Sequence, residues 1–368
     1  MNAPLRDGEM KGQQSLAIAD CDVHPMQSSP NVLYPYLSKR WRDHMETFGG
    51  HIRQGLVGQQ AYPRMMAAGQ RADAYPEAGG PPGSDLDLLR RQLLDACGVE
   101  WGMLIALGRS GMDERNLDYA AAMSHAVNEW QLNDLVRPEP RLRAGIVVPQ
   151  EHPEAAAQEI DLRAGDPAFV QVVFSPRAVE PLGRRRYWPL YEAATRNNLP
   201  IGWHPAAAGG GAPSTGSGWP TYYFQEHSAF GASIQANVVS LIFEGVFERF
   251  PTLKVALMEG GFSWAPALAW RMDKHWERMR AEVPHVKRPP SEYMREHFWF
   301  ATQPMEEPER PRHLEEIVNW IGWDRVMFSS DYPHWDFDDP RYIFKFPLSD
   351  EQRTMVFRDN AKSLYGLS

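Results

Sequence analysis

From Asp85 to the C-terminus, short apolar runs alternate with longer stretches in which apolar residues recur every three or four positions. The first pattern is that of buried strands, the second that of amphipathic helices. Asp85 stands as an N-cap before D-L-D-L-L-R-R-Q-L-L-D-A-C, Gly98 stops that helix, and V-E-W-G-M-L-I-A-L follows as a strand. The alternation then predicts helix 114–135, strand 143–148, helix 153–164, strand 169–174, helix 188–197 and strand 200–204. It continues with helix 227–250, strand 253–258, helix 263–279, strand 297–301, helix 309–321, strand 325–329 and a closing helix 350–364. Upstream, A-I-A-D-C-D-V-H-P at 17–25 makes one more strand, ended by its proline, and 31–46 reads as a helix.

Apolar strands joined by helices pair in parallel and are buried on both faces. Eight such strands close into an α/β barrel of the (β/α)₈ type, the fold class expected here. An open doubly wound sheet would bring G-x-G-x-x-G after an early strand, and that motif is absent. The expected organisation is a loose N-terminal tail over 1–14 and a single barrel over 15–368, with a long Gly-, Pro- and Ala-rich loop insertion at 48–84 lying over the barrel mouth. The stretch A-A-A-G-G-G-A-P-S-T-G-S-G follows the fifth strand, and 209–218 within it reads as a lid hinge.

Composition narrows the function. Hydrophobic residues at 43% and charged residues at 23% are those of a globular protein with ample core. The net charge of -9, with Arg184–Arg186 as the longest basic run, argues against nucleic acid as a partner. Two cysteines, Cys21 and Cys97, and an N-terminus without an apolar core lead us to expect a cytoplasmic protein. With no apolar run of about 18 residues, a membrane partner is not expected.

The candidate chemistry lies at the strand ends, because the working face of such a barrel is where its strands terminate. Asp20, Asp22 and His24 share one face of the first strand, Asp22 and His24 at its tip. The fifth strand ends in His204, the sixth at Glu259 and the eighth at Asp331. Imidazoles and carboxylates converging on one opening suit a divalent metal, which relieves the repulsion among the carboxylates, acidifies a bound water and polarises a substrate oxygen. His227 stands before the sixth strand, where it serves either as an exposed or capping residue or as one reaching the mouth from above. Gln303, beyond the seventh strand, and His334, just after Asp331, are candidates either for touching substrate or for supporting a metal ligand from behind.

Four motifs in order, D-C-D-V-H-P, W-H-P, F-E-R-F-P-T-L-K-V-A-L-M-E-G-G and F-S-S-D-Y-P-H, resemble the amidohydrolase-2 family. That family groups metal-dependent hydrolases with non-oxidative decarboxylases related to aminocarboxymuconate-semialdehyde decarboxylase, and the likeness runs from Ile18 to Leu364. It implies Asp22, His24, His204 and Asp331 as metal ligands. Two positions depart from the pattern: Asp22 stands where many members carry His or Glu, which admits manganese or iron beside zinc, and Glu259 stands where family decarboxylases usually carry a proton-transferring His.

The leading expectation is therefore a hydrolase in which metal-activated water attacks a small carboxylated or aromatic substrate. In it Asp331 ligates the metal and orients the water, while Glu259 or His227 moves the proton. The alternatives are a non-oxidative decarboxylase, a dinuclear non-haem iron oxygenase in which Glu259 and His227 help to hold a second ion, and an inactive partner subunit. The expected assembly is a homodimer or higher oligomer, with a related subunit as a further partner.

Overall fold

The computed structural model describes residues 16–48, 69–205 and 216–368, except Arg109, Asp113 and Trp219. The tail 1–14, residues 49–68 of the loop insertion and 209–215 of the lid hinge lie outside the described residues.

Eight parallel strands run in sequence order around the sheet: β1 (Ile18–Val23), β2 (Val99–Leu104), β3 (Leu142–Val147), β4 (Phe169–Phe174), β5 (Ile201–Trp203), β6 (Val255–Leu257), β7 (Phe298–Ala301) and β8 (Val326–Met327). Each pairs with the next, and the chain just beyond β8 returns to β1. There Cys21 N donates to Phe328 O at 3.0 Å, Asp331 N to Asp22 O at 3.1 Å and His24 N to Tyr332 O at 2.8 Å. This is the expected (β/α)₈ barrel. Only Glu100 and Arg143, in β2 and β3, are not fully buried among the strand residues, as strands covered by helices on one side and barrel filling on the other require. Gly202 serves that filling. A Cβ there would stand 2.4 Å from Gln171 Oε1, so its absence admits the Gln171 side chain, which accepts from Tyr365 Oη at 3.2 Å.

The helices follow local signals. Asp85 and Asn116 accept from Leu88 N at 2.8 Å and Tyr119 N at 3.2 Å, and Pro153, Pro290 and Pro311 occupy first helical turns. Two predicted helices are broken. The stretch 31–46 divides into a 3₁₀ segment, Pro30–Tyr36, carrying the internal Pro35, and a helix Lys39–Phe48. The long helix 227–250 becomes Tyr223–Ser228, Phe230–Phe243 and Val246–Arg249, the last break made by Gly245 at φ +79°. β8 is shorter than the sequence suggests because Phe328 N turns away from the sheet to donate to Val356 O at 2.9 Å. Among the described residues no helix is long and apolar enough to cross a membrane.

Candidate metal centre

Parallel pairing in a barrel sends every strand end to the same rim, and the candidate residues meet there. Asp22 and His24 at the tip of β1, His204 directly after β5 and Asp331 beyond β8 are all buried, and each offers a ligand atom within 4.8 Å of the others. His24 Nε2 lies 3.1 Å from Asp22 Oδ1 and 2.7 Å from Asp331 Oδ1, while His204 Nε2 lies 3.4 Å from Asp22 Oδ2. His24 Nδ1 is 3.0 Å from Ile105 O. A carbonyl only accepts, so Nδ1 carries a proton and Nε2 is the nitrogen turned toward the cluster.

Both oxygens of Asp22, Nε2 of His24 and both ring nitrogens of His204 are buried without a hydrogen-bond partner. Buried polar atoms are rarely left so, and several orphans facing one another call for a cation between them. The cluster is suited to a divalent metal. Without one, the electrostatics are polarised. Burial opposes ionisation of Asp22, yet the imidazoles of His24 and His204 hold it well below the usual carboxylate range. Burial likewise opposes charge on His24, but Asp22 and Asp331 push it well above the ordinary imidazole value.

Glu259 and His227 extend the site. Glu259 Oε2 is 3.1 Å from His204 Nε2, and its Oε1 is 3.5 Å from His227 Nε2, which is also 3.0 Å from Asp336 Oδ2. Burial works against a charged His227, but contacts with Asp336 and Glu259 prevail and raise it to about 10. The helix Tyr223–Ser228 carrying it is held by a buried pair, Arg177 Nη1 to Glu226 Oε1 at 3.1 Å. Gln303 and His334 both touch Asp331: Gln303 Nε2 donates to Asp331 Oδ2 at 3.1 Å and to Asp336 Oδ2 at 2.8 Å, and His334 Nδ1 is 2.6 Å from Asp331 Oδ1.

Two of the carboxylates sit in unusual backbone. Glu259 and Asp331 have φ of +49° and +61°, the left-handed region that favours glycine. Around His227 stands an aromatic rim, with ring centroids of Tyr223, Phe230 and Trp335 at 5.5, 5.1 and 5.7 Å. Trp335 Nε1 donates to Tyr223 Oη at 3.0 Å.

Sequence reasoning passed over three contributors. Asp336 follows the eighth-strand motif in S-S-D-Y-P-H-W-D, where the second Asp was the available signal. Asp20 was placed on the right face but given no task; its Oδ1 accepts from Asp22 N at 3.2 Å and Ser330 N at 2.9 Å, tying the tip of β1 to the chain after β8. The Ile105 carbonyl has no side-chain signal at all. Arg184 and Arg186 pair with Glu180, Glu244 and Glu151 rather than with any residue of the cluster.

With this geometry in view, the comparisons with known proteins are consistent. A gamma-resorcylate decarboxylase of Polaromonas sp. is 26% identical over 303 residues, covering 77% of this chain and 88% of that protein. One of Rhodococcus jostii is 25% identical over 301 residues with the same coverage, 77% and 88%. A 5-carboxyvanillate decarboxylase structure from Novosphingobium aromaticivorans, with bound manganese, superposes with a TM-score of 0.72 at 18% identity, over 98% of this chain and 100% of that one, and so shares the fold. The family described as Amidohydrolase matches residues 19–367, nearly the whole barrel, and the chain belongs to it.

Proposed function

We propose that this chain is a metal-dependent non-oxidative decarboxylase of hydroxylated aromatic carboxylic acids. The observation that carries the reading is the buried ligand set of Asp22, His24, His204 and Asp331 at the barrel mouth, in which Asp22, His24 and His204 present unpartnered atoms. The similarity to gamma-resorcylate decarboxylases over most of both chains favours carbon dioxide release over the hydrolysis expected from sequence. The mixed carboxylate and imidazole set suits manganese or iron(II) as well as zinc.

A divalent cation bound there supplies Lewis acidity toward the carboxylate and phenolic oxygens of the substrate. The remaining chemistry belongs to the chain. His227, kept protonated by Asp336 and Glu259, is the acid. It gives its proton to the ring carbon that bears the carboxylate; the bond from that carbon to the carboxylate then breaks, its electron pair restores the aromatic ring, and carbon dioxide leaves. Glu259 and Asp336 hold the imidazole in place and support its return to the protonated form. Tyr223, Phe230 and Trp335 give a planar ring an apolar wall beside that acid.

The test is anaerobic incubation of manganese-loaded protein with 2,6-dihydroxybenzoate and 5-carboxyvanillate, chosen from the substrates of structurally similar enzymes. Carbon dioxide release with formation of the corresponding phenol supports the reading, as does deuterium uptake from heavy water at the same ring carbon. Loaded protein that releases no carbon dioxide from a panel of hydroxybenzoates overturns it.

A further inference from the structure

We infer that the barrel mouth binds a second divalent cation, held by Glu259, Asp331 and His334 beside the first. This goes beyond the one-cation reading above. These three residues also offer ligand atoms within 4.8 Å of one another, and Asp331 belongs to both groups. Its Oδ1 lies 2.7 Å from His24 Nε2 and 2.6 Å from His334 Nδ1, so a single oxygen stands between the two sets, within reach of both. Glu259 closes the other side, 3.1 Å from His204 Nε2 of the first set.

An orphaned atom points the same way. Oε1 of the fully buried Gln303 has no hydrogen-bond partner, on the same amide whose nitrogen already bonds Asp331 and Asp336. A cation at Asp331 is a partner that a carbonyl oxygen of this kind can satisfy.

Charge balance gives the independent argument. Among the described residues every ion-pair partner of Asp22, Glu259, Asp331 and Asp336 is a histidine, and no Lys or Arg reaches them. Carboxylates gathered this closely without a Lys or Arg beside them repel one another and an incoming substrate carboxylate, and a second cation relieves what the first leaves.

The experiment uses the full chain stripped with a chelator and reloaded with manganese(II) alone. Elemental analysis is expected to give two manganese per chain, electron paramagnetic resonance a spin-coupled signal rather than isolated six-line spectra, and anomalous difference maps from crystals a second peak between Glu259, Asp331 and His334. Glu259→Gln and His334→Gln are each expected to lower the count to one while the first peak stays. A single peak in the wild-type crystals, or two peaks neither of which lies at Glu259 and His334, overturns the inference. Decarboxylation with one ion present would overturn only the second site, and two ions without decarboxylation only the proposed reaction.

Discussion

His24 and Asp331 meet at 2.7 Å where the first strand and the chain beyond the last close the barrel, so the metal cluster and the closure of the fold share the same few residues. Removing a ligand there is nevertheless a chemical change more than a structural one, because the backbone bonds that close the sheet do not involve the side chains. His204→Ala and Asp331→Asn are expected to abolish tight metal binding and to lower activity by more than the about 10–100-fold typical of losing a group that merely orients a ligand. Metal content and circular dichroism measured on the same samples check this. Full metal occupancy in either variant contradicts its assignment.

Gln303 touches Asp331 from behind, through an amide that also reaches Asp336. Gln303→Leu keeps the bulk and removes the donor. We expect manganese affinity to fall by about 10–100-fold with little change in melting temperature. Titration calorimetry reads the affinity, and an unchanged dissociation constant rules out an orienting task.

Metal and protons compete for the same atoms. In the metal-free protein His24 is held well above the ordinary imidazole value by Asp22 and Asp331 despite its burial, so near neutrality it carries a proton that a cation must displace. Affinity for manganese is therefore expected to rise with pH, by about tenfold per unit for each proton released. Calorimetry in buffers of different ionisation enthalpy measures the release directly, and a value of zero would contradict the arrangement.

Asp338 offers a stability test at a residue that is not itself a ligand. Burial pushes its carboxyl up to about 7, even though Met305 N donates to it at 3.0 Å. The unfolded chain ionises near the ordinary carboxylate value of 3.8, so the stabilising contribution is intact below that pH and is lost as pH rises toward 7. Asp338→Asn, which keeps an acceptor for Met305, is expected to raise the melting temperature at pH 8 on the order of a few degrees, and by less at pH 5. Equal shifts at the two pH values would refute the raised value.

The aromatic rim gives a kinetic prediction. Trp335 is 42% exposed and packs beside His227 rather than in the core. Trp335→Ala is expected to raise KM for an aromatic acid several-fold with a smaller effect on kcat, since it removes wall and leaves the acid in place. Steady-state kinetics separate the two; a loss confined to kcat argues against a binding wall.

The barrel was legible because its evidence is periodic: each apolar strand is set off by a helix with its own cap or proline, as at Asp85 and Pro153. The residues meeting at the rim were legible for a related reason, since parallel strands fix where Asp22, His204 and Asp331 must end. What the pattern hid depends on loop conformation. Asp336 lies in a loop beyond β8 with no periodicity, and only the fold shows it facing His227. For His334 and Gln303 the pattern left substrate contact and ligand support both open, because their direction, toward Asp331, is set by the turns that carry them. The break before His227 was equally invisible, since an apolar face continues across it.

Glu259 and Asp331 hold left-handed backbone, a conformation that penalises any side chain with a Cβ by roughly 1–2 kcal/mol. Glycine at either position would relax the turn and forfeit the carboxylate. A chain drifting under selection for robustness alone would thus tend to lose its acidic groups at these two turns first, leaving a sturdier barrel with nothing to grip a cation.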